Sequence, residues 1–246
     1  MTMPDKWARW ARRLAVAAFV VAIAGLAAFR QELMSFAVPL LVVAVAVVLA
    51  LVAVLIGVFV VLGAPFRRAA TGRRWGNVVW AFALSLVVLL PAAGTIQRGR
   101  DVPAIHDITT DTKNPPVFVA VPKRRAATDN ALDIDKDVIA MQKAAYPDIA
   151  TKKSRLRVRP AYFRALKRVR EFGWEVVADV PPKSARGTGR IEATVKSRIF
   201  GFRDDVVIRV KPAGSGSKID MRSASRLGRS DLGANAARIT RYLSGL

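Results

Sequence analysis

Cysteine is absent from this sequence of 246 residues, and histidine occurs once, as His106. The lack of thiols excludes disulfides, thiolate zinc sites and cysteine nucleophiles. A metal site would need carboxylates alone, and a Ser-His-Asp triad could use only His106. Glycine-rich phosphate loops and nucleophile elbows are also missing. We therefore expect no metal and no cofactor, and the sequence does not decide whether the protein is an enzyme.

Acidic residues are scarce, with 18 Asp and Glu against 40 Lys and Arg. The charges are unevenly distributed along the chain. Residues 1–97 hold 9 of the basic and 2 of the acidic residues, so the remaining 149 residues hold 31 basic and 16 acidic ones, a net charge of +15. This segregation predicts a membrane region followed by one soluble domain of ordinary size.

Long charge-free runs occur in the first region, at 14–29, 33–66 and 75–97. A spanning helix needs about 20 apolar residues, so these runs predict transmembrane helices at about 10–29, 37–63 and 76–96. The first run also fits a cleaved signal peptide, because basic residues precede it and small residues lie near its end. An uncleaved helix is our expectation, and both interpretations give the same topology downstream.

The short flanking segments predict the orientation of these helices. Four basic residues and one acid precede the first run, and the loop before the third run has four arginines and no acid: Arg67, Arg68, Arg73 and Arg74. Positive loops stay in the cytoplasm. We therefore expect a multi-pass protein of a bacterial inner membrane with a cytoplasmic N-terminus and a periplasmic C-terminal domain.

The C-terminal region has two predicted parts. Residues 98–130 are rich in proline without a helical period, which predicts an extended tether. Residues 131–246 show helical periodicity at both ends and four stretches of period-two alternation, at about 174–180, 189–199, 204–211 and 217–225. The predicted fold class is α+β: three N-terminal transmembrane helices, then a four-stranded antiparallel sheet with helices on one face.

Several motifs of this region together form a known pattern. They are HDITTDTKNPP (106–116), YPDI (146–149), GWEVV (173–177), IEAT (191–194), FGFRDDVVIRV (200–210) and DMRSASRLGRSDLGANAARI (220–239). Over about residues 104–246 the chain resembles a bacterial family known as domain-of-unknown-function family 1499. The resemblance implies no established activity, cofactor or substrate.

The segment joining the last predicted strand to the last helix holds the richest set of polar groups. A helix start offers free N–H groups and a positive dipole end, so this segment predicts an anion-binding site made of Arg226, Arg229, Ser230, Ser223, Ser225 and Asn235. The alternative is structural: Ser230 or Asp231 caps the helix, and the arginines pair with Asp204, Asp205 or Asp220. Both interpretations stay open.

A second candidate site is the polar face of the sheet, with Arg198, Arg209 and Arg222. These arginines form either a ligand-binding face or cross-strand charge pairs with Glu192 and Asp220.

The composition is typical of a membrane-anchored, envelope-facing binding or scaffold protein. Its partners would be the lipid bilayer and anionic lipid headgroups, an anionic envelope polymer or an acidic envelope protein. An accessory subunit of a membrane complex and an envelope hydrolase or transferase are the alternatives. Nucleic acid is not an expected partner, because the predicted location is outside the cytoplasm and an aromatic-rich binding strand is missing.

Overall fold

Three long apolar helices make up the first of two units in the chain, Met1–Gln97 and Arg98–Leu246. The computed structural model describes residues 3–31, 37–63, 72–197 and 200–246. The helices are α1 (Met3–Arg30), α2 (Ala37–Leu62) and α3 (Gly72–Asp101). Each is long and apolar enough to cross a membrane, so the chain has the three helices expected of a membrane-associated protein.

Small residues line the contacts among these helices. On α1 they recur at spacings of three and four, at Ala8, Ala11, Ala15 and Ala18, and all four are fully buried. Three of them pack against alanines of α2 and Ala81 of α3, and Ala8 packs against valines of α2 and α3. Helices associate in a bilayer through close van der Waals contact, which small side chains permit. The alanine stripe therefore explains how this apolar sequence forms a packed bundle.

A buried ion pair joins α1 to α3. Arg74 Nε lies 3.3 Å from Asp5 Oδ1, and the Arg74 side chain is 1% exposed. The sequence pattern places Arg74 in the loop before the third helix, but α3 begins at Gly72 and therefore includes Arg74 in the helical bundle. A charge inside a helical bundle of this kind needs a partner of opposite sign, and α1 supplies it.

The second unit contains a six-stranded antiparallel sheet, so the prediction of four strands was wrong. The strands are β1 (Asp107–Thr109), β2 (Lys152–Ser154), β3 (Glu175–Val180), β4 (Gly189–Lys196), β5 (Arg203–Ala213) and β6 (Gly216–Ser225). Their order is β1-β6-β5-β4-β3, with β2 also paired to β6. The α+β class is confirmed.

The two unpredicted strands have three residues each and pair only with β6. Such short segments carry no period-two signal, and their extended conformation depends on the longer strand beside them. Glycine at position 216 allows β2 to approach, because a Cβ on Gly216 would collide with the backbone carbonyl of Ser154. Strand β1 also lies within the segment 98–130 that we had expected to be a tether.

Two of three further helices pack on one face of the sheet. They are α4 (Lys136–Ala145), α5 (Val158–Glu171) and α6 (Ala234–Leu243). Helices α5 and α6 contribute buried side chains such as Tyr162 and Ile239 to a core shared with Ile191, Ile208 and Met221 of the sheet. This face is the one that the alternating pattern of the strands predicted.

The other face of the sheet is also buried, contrary to the expectation of a solvated polar face. Residues 111–132, which we call the strap, run across it, and Phe118 and Val121 of the strap pack on Val207 of β5. The carboxylate of Glu192 accepts hydrogen bonds from the N–H groups of Val119, Ala120 and Val121 at 2.9–3.1 Å. Polar residues on this face therefore indicate an internal charged layer.

Candidate anion-binding site

The central arginine of the predicted anion site is already paired inside the protein. Arg226 donates from Nε and Nη2 to the two carboxylate oxygens of Asp205, each at 2.9 Å. Its Nη1 donates to the Arg124 carbonyl of the strap at 3.1 Å. Burial by itself lowers the pKa of Arg226, but the hydrogen bonds and charge of Asp205 raise it above the ordinary value. The guanidinium is therefore a permanently charged part of the fold.

A second arginine completes this buried cluster on the strap side of the sheet. Arg125 Nε lies 3.7 Å from Asp205 and 3.8 Å from Asp129. Burial lowers the pKa of Arg125, and the nearby carboxylates oppose that effect. Thr194 adds a hydroxyl that donates to Asp205 at 2.8 Å. Asp205 thus interacts with several partners, which come from β4, from the residue that follows β6, and from the strap.

Asn235 forms hydrogen bonds with both serines of the predicted site. Ser223 donates to the Asn235 side-chain oxygen at 2.8 Å, and the Asn235 amide donates to Ser225 at 3.0 Å. The same amide donates to the His106 carbonyl at 2.9 Å. All three side chains are buried. The network joins β6 to α6, and the Ser223 proton is held by an amide oxygen where a nucleophile would need a general base.

Asp231 occupies the start of α6 where an anion had been predicted. Its two carboxylate oxygens accept from the N–H groups of Gly233 and Asn235, each at 2.8 Å. Burial raises the pKa of Asp231, and these two hydrogen bonds act in the opposite direction. The structure thus favours the structural alternative at this helix start, since a carboxylate of the chain itself satisfies the free N–H groups.

The two remaining residues of the predicted site lie apart from this network. Arg229 is exposed, and the Ser230 hydroxyl lies 3.4 Å from the Pro103 carbonyl. Neither contacts Arg226 or Asn235 among the described residues. Anion binding by this segment stays a prediction, and only Arg229 among its arginines is open to solvent.

The second candidate site, the polar sheet face, lies under the strap. Arg209 pairs with Asp220 across β5 and β6 and with Asp111 of the strap, each at 2.9 Å. Arg222 pairs with Asp107 at 2.7 Å and stacks its guanidinium over Phe118. Arg209 therefore forms the charge pair with Asp220 that the alternative interpretation named, whereas Arg222 pairs with Asp107, which that interpretation did not include. Arg198, the third member of this predicted site, lies outside the described residues.

The sequence pattern indicates that the region around α5 is strongly basic, but the candidate sites do not include this surface. Residues 150–170 contain nine basic residues and no acidic one. Helix α5 buries Ala161, Tyr162, Ala165, Leu166 and Val169 and leaves the opposite side to solvent. We call that side the basic α5 face; its members are Arg157, Arg159, Phe163, Arg164, Lys167 and Arg170. The amphipathic period of the sequence indicates that cations of this helix face outward, but it does not by itself show a binding site.

The basic α5 face offers a partner one exposed aromatic ring and cations that are only weakly paired within the chain. Phe163 is 48% exposed, and the Arg159 guanidinium lies 5.9 Å from the centre of its ring. Lys167 and Arg170 have only loose, exposed ion pairs of 3.8 Å, with Glu171 and Asp179. Such surface pairs contribute little and exchange easily for other anions.

Within the described ranges, no group of three or more His, Cys, Asp or Glu side chains is placed to hold a metal ion. Asp204 and Asp205 point to opposite faces of β5, where Asp204 pairs with Arg238 and Asp205 with Arg226. These two carboxylates cannot act together on one substrate.

The fold defines a class of protein: three apolar helices of membrane-spanning length, followed by an α+β domain whose sheet is enclosed by two helices and a strap. Residues 107–246 match the family described as "protein of unknown function (DUF1499)". The chain belongs to this family, as the sequence motifs had indicated. Neither the curated proteins nor the solved structures gave a significant match.

Proposed function

We propose that this chain is a membrane-anchored, envelope-facing binding protein whose basic α5 face engages anionic lipid headgroups. The observation that carries the proposal is the composition of that face: five cations beside one exposed aromatic ring, on a helix whose other side is locked into the core. Anionic bilayer surfaces attract such cations, at about 1 kcal/mol for each one near the surface.

Phe163 makes a lipid surface the favoured anionic partner. A partly exposed phenyl ring inserts among headgroups while neighbouring arginines contact phosphates, the arrangement found on interfacial amphipathic helices. A soluble anion would use the arginines and leave the ring in water. The rigidity of the helix also helps, because Tyr162 and Val169 are fully buried and hold the cations in place without a further loss of backbone entropy.

The envelope-facing orientation is supported by the arginine distribution of the short N-terminal segments. We expect a C-terminal alkaline phosphatase fusion to be active in a bacterial host and a C-terminal GFP fusion to be dark. The matched control is the same pair of reporters fused after Gly63, at the end of α2, where the opposite result is expected. A fluorescent GFP at Leu246 together with inactive phosphatase would contradict the orientation.

We also expect the basic α5 face to respond to bilayer charge. Because the chain has no cysteine, Phe163→Cys gives a single labelling position, and a bimane ring attached there replaces the phenyl ring. In the full chain reconstituted into nanodiscs, bimane emission should shift to the blue when anionic lipid replaces neutral lipid. The variant Arg164→Gln/Lys167→Gln should remove at least half of that shift.

The control variant for this experiment is Lys153→Gln/Lys218→Gln, which removes the same charge from two exposed lysines that face each other across β2 and β6. It should keep the shift. Equal emission in neutral and anionic nanodiscs, or an equal loss in the control, would overturn lipid binding by this face.

A further inference from the structure

A cavity of about 440 Å³ opens between α1 and α3, in the unit that holds the apolar helices. Its lining is polar at one end and apolar at the other, with Arg12, Arg13, Val16, Trp80 and Leu84. On α1, Val16 lies one turn beyond Arg12, and on α3, Leu84 lies one turn beyond Trp80. The apolar side chains of both helices therefore lie at the same end of the cavity. The cavity therefore has the polarity of a lipid molecule along its length.

Both helices enter the bundle from the same end. Asp5 near the start of α1 pairs with Arg74 near the start of α3, and Ala11 and Ala81 share one buried cluster. Arg12 lies seven residues beyond Asp5, which is roughly 10 Å further along the helix. The two cavity arginines therefore lie about two turns further along α1 than the Asp5–Arg74 pair, and both are on its exposed side.

No carboxylate of the described residues pairs with the cavity arginines. Among the described residues, no carboxylate lies within 4 Å of Arg12 or Arg13, whereas the nearby Arg74 has Asp5. Arg13 places its guanidinium 5.3 Å from the centre of the Trp10 ring, which orients it but does not neutralise its charge. Two exposed cations beside an apolar helix are accessible to anionic lipid headgroups, which attract such charges.

We propose that this cavity binds one anionic phospholipid from the leaflet in which α1 begins. The phosphate contacts Arg12 and Arg13, since guanidinium groups form strong charge-assisted hydrogen bonds with phosphate. One acyl chain lies along Val16 and Leu84, and Trp80 lies at the level where headgroup and chain meet, as tryptophan commonly does in membranes. This site is separate from the basic α5 face and does not depend on it.

The test is a lipid titration of the delipidated full-length chain in nonionic detergent, followed by native mass spectrometry. Phosphatidylglycerol should bind about tenfold more tightly than phosphatidylcholine with the same acyl chains, a difference of about 1.4 kcal/mol. The variant Arg12→Gln/Arg13→Gln should remove this preference, and Arg12→Lys/Arg13→Lys should retain most of it. The control Lys6→Gln/Arg9→Gln removes the same charge from α1 outside the cavity and should keep the preference.

A second variant keeps the test valid if the glutamine protein does not fold. Leu84→Trp fills the apolar end of the cavity and leaves both arginines in place, so it should weaken phosphatidylglycerol binding at unchanged charge. Glycerol 1-phosphate, a headgroup without chains, should not displace the lipid. Equal binding of the two lipids, an equal loss in the control variant, full binding in Leu84→Trp, or displacement by glycerol 1-phosphate would each overturn the proposal.

Discussion

Replacing Asp205 by alanine is expected to destabilise the sheet domain by about 3–5 kcal/mol, the usual cost of leaving a buried charge without its partner. Asp205 is fully buried and accepts from Arg226 twice and from Thr194 once. Arg125 lies 3.7 Å away and depends on the same carboxylate. The substitution would leave two buried guanidinium groups sharing the single remaining charge of Asp129.

The measurement is native-state hydrogen exchange of the full chain in detergent micelles, read at the amides of β5 and β6. Their opening free energy should fall by the stated amount. The control is Glu171→Ala, which removes an exposed carboxylate that lies 3.8 Å from Lys167 and should cost at most about 1 kcal/mol. Similar losses in both variants would show that the buried cluster contributes no more than a surface pair.

Replacing Glu192 by alanine is expected to release the strap from the sheet at a cost of roughly 3 kcal/mol. The Glu192 carboxylate is fully buried and holds three consecutive N–H groups, those of residues 119–121. It also pairs with Arg190 at 2.9 Å. Alanine would leave these buried donors without an acceptor, and water would have to enter beneath the strap to satisfy them.

The expected result is local and can be read residue by residue. The amides of residues 119–121 should lose protection from exchange first, while those of α5 keep theirs, because the core between α5 and the sheet does not include the strap. Glu192→Gln should give an intermediate loss, since one oxygen remains to accept. The control Glu175→Ala removes the exposed pair with Arg124 of the strap. Unchanged protection at 119–121 in Glu192→Ala would refute the anchoring role.

The sequence interpretation succeeded where the signal is local. The sequence pattern places Pro160 at the start of helix α5 and Gly173 just past its end; the helix begins two residues before that proline, at Val158, and ends at Glu171. Gly173 has a φ of 68°, which suits glycine beyond a helix end. Leu166 and Val169 of the apolar period are buried, but Phe163 of the same period is 48% exposed. Strands β4, β5 and β6 alternate strongly enough to be placed within three residues. Strands β1 and β2 were not found, because three residues are too few for a period and both exist only through their pairing with β6.

The candidate anion site illustrates what the sequence could not predict. Its polar residues do lie before a helix, as the sequence indicated, but such residues are equally suited to ligand binding and to internal pairing. The decision lay with distant residues: Asp205 is 21 positions from Arg226, and the Arg124 carbonyl is 102 positions away. Spacing along the chain carries no information about such partners. The basic α5 face was visible in the sequence, but its value as a surface depends on which side the core covers.

The sequence by itself determined the three apolar helices, the α+β class and the family. Each of these follows from composition, period or motif within a short window, because hydrophobic length and side-chain alternation are properties of neighbouring residues. The tertiary structure alone decided which charges are neutralised, that the strap closes the second face of the sheet, and that no carboxylate in the described part of the chain pairs with Arg12 or Arg13. The energy of a charge depends on its distance to others in space and on its burial, and folding sets both.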